Sequence, residues 1–98
     1  MAEIAWTLEA AQWLEEIYNY IAAESPGAAH KVVNGIYERI QQLRKHPRLG
    51  QRYEPITDRE VREIVYGHYR IAYLVKTEKR IEILGIFHSA LDIERYLR

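Results

Sequence analysis

Apolar residues change their spacing once along this chain, and the change divides it into two halves. In the first half Ala10, Ala11, Leu14, Ile17, Tyr18 and Ile21 recur every three or four residues, which is the stripe of a helix that buries one face. Thr7 precedes the stripe and can cap it by accepting from a free backbone N–H. Glu9 in the first turn suits the helix dipole. The stretch Ala23-Glu24-Ser25-Pro26-Gly27 breaks the helix, with Ser25 as the next cap and Pro26 at the first helical position. A second stripe runs through Ala29, Val32, Val33, Ile36, Tyr37, Ile40 and Leu43 and stops at His46-Pro47. Two such helices with a short break between them make an antiparallel hairpin. Gly35, inside the second helix, is expected to pack closely against the first, offsetting its poor helix propensity.

After the turn Pro47-Arg48-Leu49-Gly50 and an irregular stretch from Gln51 to Thr57, the period falls to two. Val61 to Val65, Tyr69 to Val75 and Arg80 to Phe87 read as three strands, and their short connections imply an antiparallel meander. Alternation puts Tyr69, Ile71, Tyr73 and Val75 on one face. It puts Ile81, Ile83, Gly85 and Phe87 on one face of the last strand and Leu84 and Ile86 on the other. Apolar residues on both faces imply that both are covered. Ala2 to Trp6 forms a short first strand, and Asp92 to Leu97 a short terminal helix or docking tail. The expected fold is α+β: an N-terminal strand, a helix hairpin packed on a twisted antiparallel sheet, and a tail, in one domain over residues 1–98.

Composition narrows the chemistry. Apolar residues make up 48% and charged residues 29%, an ordinary globular balance. The absence of cysteine excludes disulfides, thiolate metal sites and thiol nucleophiles, and fits a reducing cytoplasm. No secretory leader or apolar run of membrane-spanning length is visible. Fourteen basic and fourteen acidic residues cancel, which counts against a protein devoted to gripping nucleic acid. The charge is nevertheless segregated. Residues 1–24 carry Glu3, Glu9, Glu15, Glu16 and Glu24 and no base; residues 39–52 carry Arg39, Arg44, Lys45, Arg48 and Arg52 and no acid. Such a basic patch is either solvated helix surface or a contact for an acidic partner or phosphates. No histidine pair has metal spacing, no glycine-rich phosphate loop occurs, and no cofactor is expected.

Arg62, Arg70 and His88 remain, in or beside the strands. A sheet arginine needs a partner, and Glu63, Glu82 and Asp92 are at hand. The alternative is a cationic cluster on one sheet face, with a histidine able to exchange a proton, suited to phosphodiester cleavage.

Several phrases occur together in a familiar order: Ala11 to Ala22 (AQWLEEIYNYIA), Ser25-Pro26 with Ala28-Ala29, Ile40 to Leu43, His46 to Gly50, Val61-Arg62-Glu63-Ile64, Tyr69 to Tyr73, and Ile83 to His88 with Asp92. Through them the chain resembles the RelE/ParE superfamily of type II toxin–antitoxin modules, often called plasmid stabilisation proteins. The resemblance implies a cytoplasmic toxin neutralised by a cognate antitoxin, as a hetero-oligomer with it or a homodimer. ParE-like members inhibit DNA gyrase as binding proteins; RelE-like members are ribosome-dependent mRNA endonucleases. The absence of lysine between Glu60 and Val75, the zero net charge and the long hairpin look more ParE-like. On that branch the expected target contacts are Arg62, Arg70, His88, Asp92, Arg95 and Arg98. On the RelE-like branch Arg62, Arg70 and His88 are the catalytic candidates. A third reading is an inactive relative that only binds an antitoxin.

Overall fold

The computed structural model describes residues 1–89 and Leu97. The elements follow as β1 (Glu3–Trp6), α1 (Leu8–Ala22), α2 (Pro26–Gln41), β2 (Gln51–Arg52), β3 (Val61–Tyr66), β4 (Tyr69–Thr77) and β5 (Arg80–His88). Both expected caps are made: Thr7 accepts from the Ala10 N–H and Ser25 from the Ala28 N–H. The Thr7 hydroxyl also donates to the Ile83 carbonyl at 2.7 Å, which ties the start of α1 to β5.

One five-stranded sheet runs in the order β1-β5-β4-β3-β2. The meander β3-β4-β5 is antiparallel as its short loops require. In the β3–β4 loop Gly67 has φ +57°, the left-handed backbone that the first position of a tight II′ turn demands. The sheet becomes mixed at one edge, where β1 lies parallel to β5 with Ile4 opposite Ile81. The fold is therefore α+β, two helices against a mixed sheet.

Two apolar clusters flank the sheet. The helix-side cluster joins Ala10, Ile17, Ile36, Ile40 and Leu43 to Ile64, Ile71, Tyr73, Val75, Ile81, Ile83 and Ile86. The far cluster joins Ile56, Val61, Ala72, Phe87 and Leu97, with Trp13, Tyr53, Leu74 and Leu84 packed against it. Both faces are thus covered, and Trp13 touches both clusters, meeting the Phe87 ring edge-on at 4.8 Å.

Four local expectations are corrected. The α-helical part of α2 ends at Gln41, and a 3₁₀ turn over Gln42–Arg44 follows. The tighter turn buries Leu43 and leaves the Arg44 carbonyl to accept the Ala2 N–H at 2.9 Å. Gly35 faces β3, not α1: a Cβ there would lie 1.9 Å from the Tyr66 hydroxyl oxygen. Gln51–Arg52 is a two-residue strand against β3 rather than irregular, too short for a period-two signal. Finally, the faces of β5 switch midway. Ala72 pairs with Gly85 but Tyr73 pairs with Ile83, so Leu84 is an extra residue in β5. Beyond it the parity reverses, and Ile86 rather than Phe87 joins Ile81 and Ile83 on the helix side. The expected terminal helix lies outside the described residues, apart from Leu97.

Candidate functional site

The turn that follows α2 is fastened to the sheet through Gly50. Its N–H donates to the Tyr73 hydroxyl oxygen at 2.9 Å, a buried bond, and its carbonyl accepts from Arg62 Nη1 at 2.7 Å. Burial of Tyr73 pushes its phenol above the ordinary value and keeps it neutral. A side chain at position 50 is excluded, because a Cβ would stand 2.5 Å from the Glu63 carbonyl oxygen.

Arg62 also donates from Nε to Glu60 Oε2 at 2.7 Å. The same carboxylate takes two bonds from Arg48, at 2.9 and 3.1 Å, and Arg48 reaches Glu78 at 2.8 Å. The bonds from Arg48 and then Arg62 hold the Glu60 carboxyl below the usual carboxylate range, and the bonds to Glu60 and Glu78 raise Arg48. Arg48 and Arg62 thus clamp one acid between the turn and the sheet.

Arg70 lies elsewhere. It is directly opposite Val65 and Phe87, on the far face, whereas Arg62 is opposite Tyr73, on the helix-side face. Its Nη1 is 3.6 Å from Glu63 Oε2, the pairing anticipated from the sequence, and its Nη2 donates to the Ser89 carbonyl at 3.4 Å. His88 is exposed at the end of β5, opposite Tyr69, with its ring edge-on to Tyr69 at 5.9 Å and stacked on His68 at 6.2 Å. Tyr69 and Tyr73 are four residues apart along β4, so Arg62 and His88 are separated by about 13 Å of strand. The one-face cationic cluster is therefore a correction: Arg62, Arg70 and His88 occupy two faces and two ends of the sheet. Asp92, Arg95 and Arg98 lie outside the described residues.

The basic patch is divided as well. Arg48 is neutralised by Glu60 and Glu78, and Arg52 donates to the Arg59 carbonyl from β2. Arg39, Arg44 and Lys45 have no carboxylate within salt-bridge distance among the described residues. Arg39 is held by the Val65 carbonyl and by Gln42.

The hairpin carries an apolar groove of about 410 Å³, lined by Trp6, Ala11, Leu14, Tyr18, Val33 and Tyr37, with Glu15 the one charged residue. Tyr18 meets the His30 ring nitrogen at 3.1 Å and bridges the two helices. Among the described residues no group of three or more metal-ligating side chains occurs, and no helix is long and apolar enough to cross a membrane. Sequence reasoning missed the Gly50–Tyr73 bond and the role of Glu60. Tyr73 carried a signal, since a buried tyrosine needs a partner for its hydroxyl, but the partner is a backbone group 23 residues away.

Comparison with known proteins gives this architecture a family. The family described as "ParE toxin of type II toxin-antitoxin system, parDE" matches residues 4–93. The curated protein "Putative toxin Y4kP" of Sinorhizobium fredii is 31% identical over 86 residues, covering 88% of this chain and 86% of that protein. A solved structure described as "Chromosomal ParDE TA system from P. aeruginosa" superimposes with a TM-score of 0.73 at 28% identity, covering 90% of this chain and 96% of that one. The chain belongs to the ParE toxin family of type II toxin–antitoxin systems.

Proposed function

We propose that this toxin acts in the cytoplasm by binding DNA gyrase and stabilising it on cut DNA, and that a cognate antitoxin silences it. The observation that carries the reading is the separation of Arg62, Arg70 and His88. Phosphodiester cleavage needs an acid or base and a charge-stabilising cation within hydrogen-bond reach of one phosphate. Here the candidates stand on opposite faces, or on strands either side of β4 and offset by about 13 Å along it, which favours a binding toxin over an endonuclease. Within this reading Arg70 and His88 are target contacts, together with Asp92, Arg95 and Arg98, whereas Arg62 acts through the fold by holding Gly50 and Glu60.

The hairpin groove supports the antitoxin part. Its lining is apolar with one acid, Glu15. An amphipathic helix with apolar anchors every three or four residues and a basic rim is the complement of such a groove. The test uses purified gyrase, relaxed plasmid and the full chain. Loss of supercoiling, with linear DNA released on denaturing the gyrase, is expected, and added antitoxin should reverse both. Supercoiling unimpaired at a large molar excess of folded toxin overturns the reading.

A further inference from the structure

We infer that the end of α2 and its 3₁₀ turn form a separate contact surface for the phosphate backbone of duplex DNA. Arg39 and Lys45 line a concavity of about 420 Å³ with Met1, Gln41, Gln42, His46 and Leu49, and Arg44 is exposed next to Lys45 on the 3₁₀ turn. Neither this concavity nor the adjoining one, lined by Lys45, His46, Pro47, Arg48 and Leu49, has an acid in its wall. The nearest acid in sequence, Glu38, adjoins Arg39 in α2 but lies in the wall of neither concavity. The three cations have no carboxylate partner among the described residues, although Arg48, three residues after Lys45, binds two. Among the described residues, one arginine is neutralised thoroughly while these three have no carboxylate within salt-bridge distance.

The lining chooses the partner. Five of its seven residues carry N–H donors, which match phosphate oxygens, and none is Phe, Tyr or Trp. Protein interfaces draw their energy from buried aromatic anchors, and this surface offers only Met1 and Leu49. The platform is also fixed in place, since the following turn is fastened by Gly50–Tyr73 and Arg48–Glu60. The zero net charge is consistent with this, because along the sequence the acids of residues 1–24 are separate from residues 39–45, and Glu3, brought close by the Ala2–Arg44 bond, reaches Arg80.

Three phosphate contacts give weak binding, of order 0.1 mM at physiological salt. That is too weak for a toxin to find DNA alone. Once gyrase holds both toxin and DNA, the local concentration is of order millimolar, and the same contacts are occupied. The inference rests on the gyrase reading for the choice of DNA, but the binding itself is measurable without gyrase.

The probe is a fluorescein-labelled duplex of about 20 base pairs, with the full chain followed by anisotropy between about 200 and about 50 mM salt. Affinity should rise about 40-fold across that range, a log–log slope near −2.7 for three phosphates. Arg44→Gln with Lys45→Gln should bring the slope to about −1 while leaving the circular dichroism and the antitoxin affinity unchanged. No binding at the lower salt, an unchanged slope in the double variant, or a poly-glutamate peptide competing better than unlabelled duplex overturns the inference. Gyrase inhibited by a toxin that does not bind duplex would remove this surface and keep the proposed function. Duplex bound by a toxin that leaves gyrase untouched would do the reverse.

Discussion

A glycine has no side chain to offer, yet Gly50 secures the turn after α2 through both of its backbone polar groups. Tyr73→Phe leaves the buried Gly50 N–H without its acceptor, and a loss of about 1–3 kcal/mol in chemical denaturation is expected. The neighbouring clamp responds to pH. Its bonds to Arg48 and Arg62 hold the folded Glu60 carboxyl below its ordinary value of 4.5, so the clamp stabilises the fold fully above that value. This contribution is lost as pH falls from about 4.5 through the lowered folded value, and Glu60→Gln should flatten that part of the stability profile. An equally steep acid limb in the variant would assign the loss to other carboxylates. At this scale the sequence was only partly legible. Arg70 took one of its anticipated partners, Glu63, because the two lie diagonally on one face of adjacent strands. Arg62 found Glu60 and Gly50 instead, and neither follows from alternation, since both precede their strand partners in irregular chain.

The elements themselves were largely readable, because each carries its own period and its own cap. Thr7 and Ser25-Pro26 start the two helices where their chemistry requires. What alternation cannot report is an inserted residue, and Leu84 reverses the faces of β5 with no glycine or proline at the bulge itself to announce it. Gly85, one residue on, belongs to the same device. A Cβ there would lie 2.3 Å from the Phe87 ring, which is pinned against Trp13. Gly35 would collide with the outer end of the half-buried Tyr66 ring, which can swing away, and alanine there regains up to about 1 kcal/mol of helix propensity. Gly85→Ala should therefore cost about 1–3 kcal/mol and Gly35→Ala less than about 1 kcal/mol. Thermal unfolding of the two variants side by side checks the order; a larger loss at Gly35 would mean that Tyr66 cannot move.

Across the whole molecule the charge and the apolar surface are distributed unequally. The hairpin presents an apolar groove beside acidic α1, and the C-terminal end of α2 presents cations that have no carboxylate partner among the described residues. A basic amphipathic antitoxin helix in the groove should quench or shift the fluorescence of Trp6, and Leu14→Glu should weaken that complex at least tenfold without unfolding the chain, since Leu14 is only partly buried. Retained affinity in a folded Leu14→Glu protein would move the antitoxin to another surface. The assignment to a ParE toxin rests on the match over residues 4–93, and the action on gyrase is the claim built upon it. The most direct test in the cell is a pulse-label of DNA and protein synthesis after brief induction of this chain alone. DNA synthesis falling first, with protein synthesis following later, is the predicted result. Protein synthesis falling first, with new mRNA ends at ribosome-bound codons, would contradict the account.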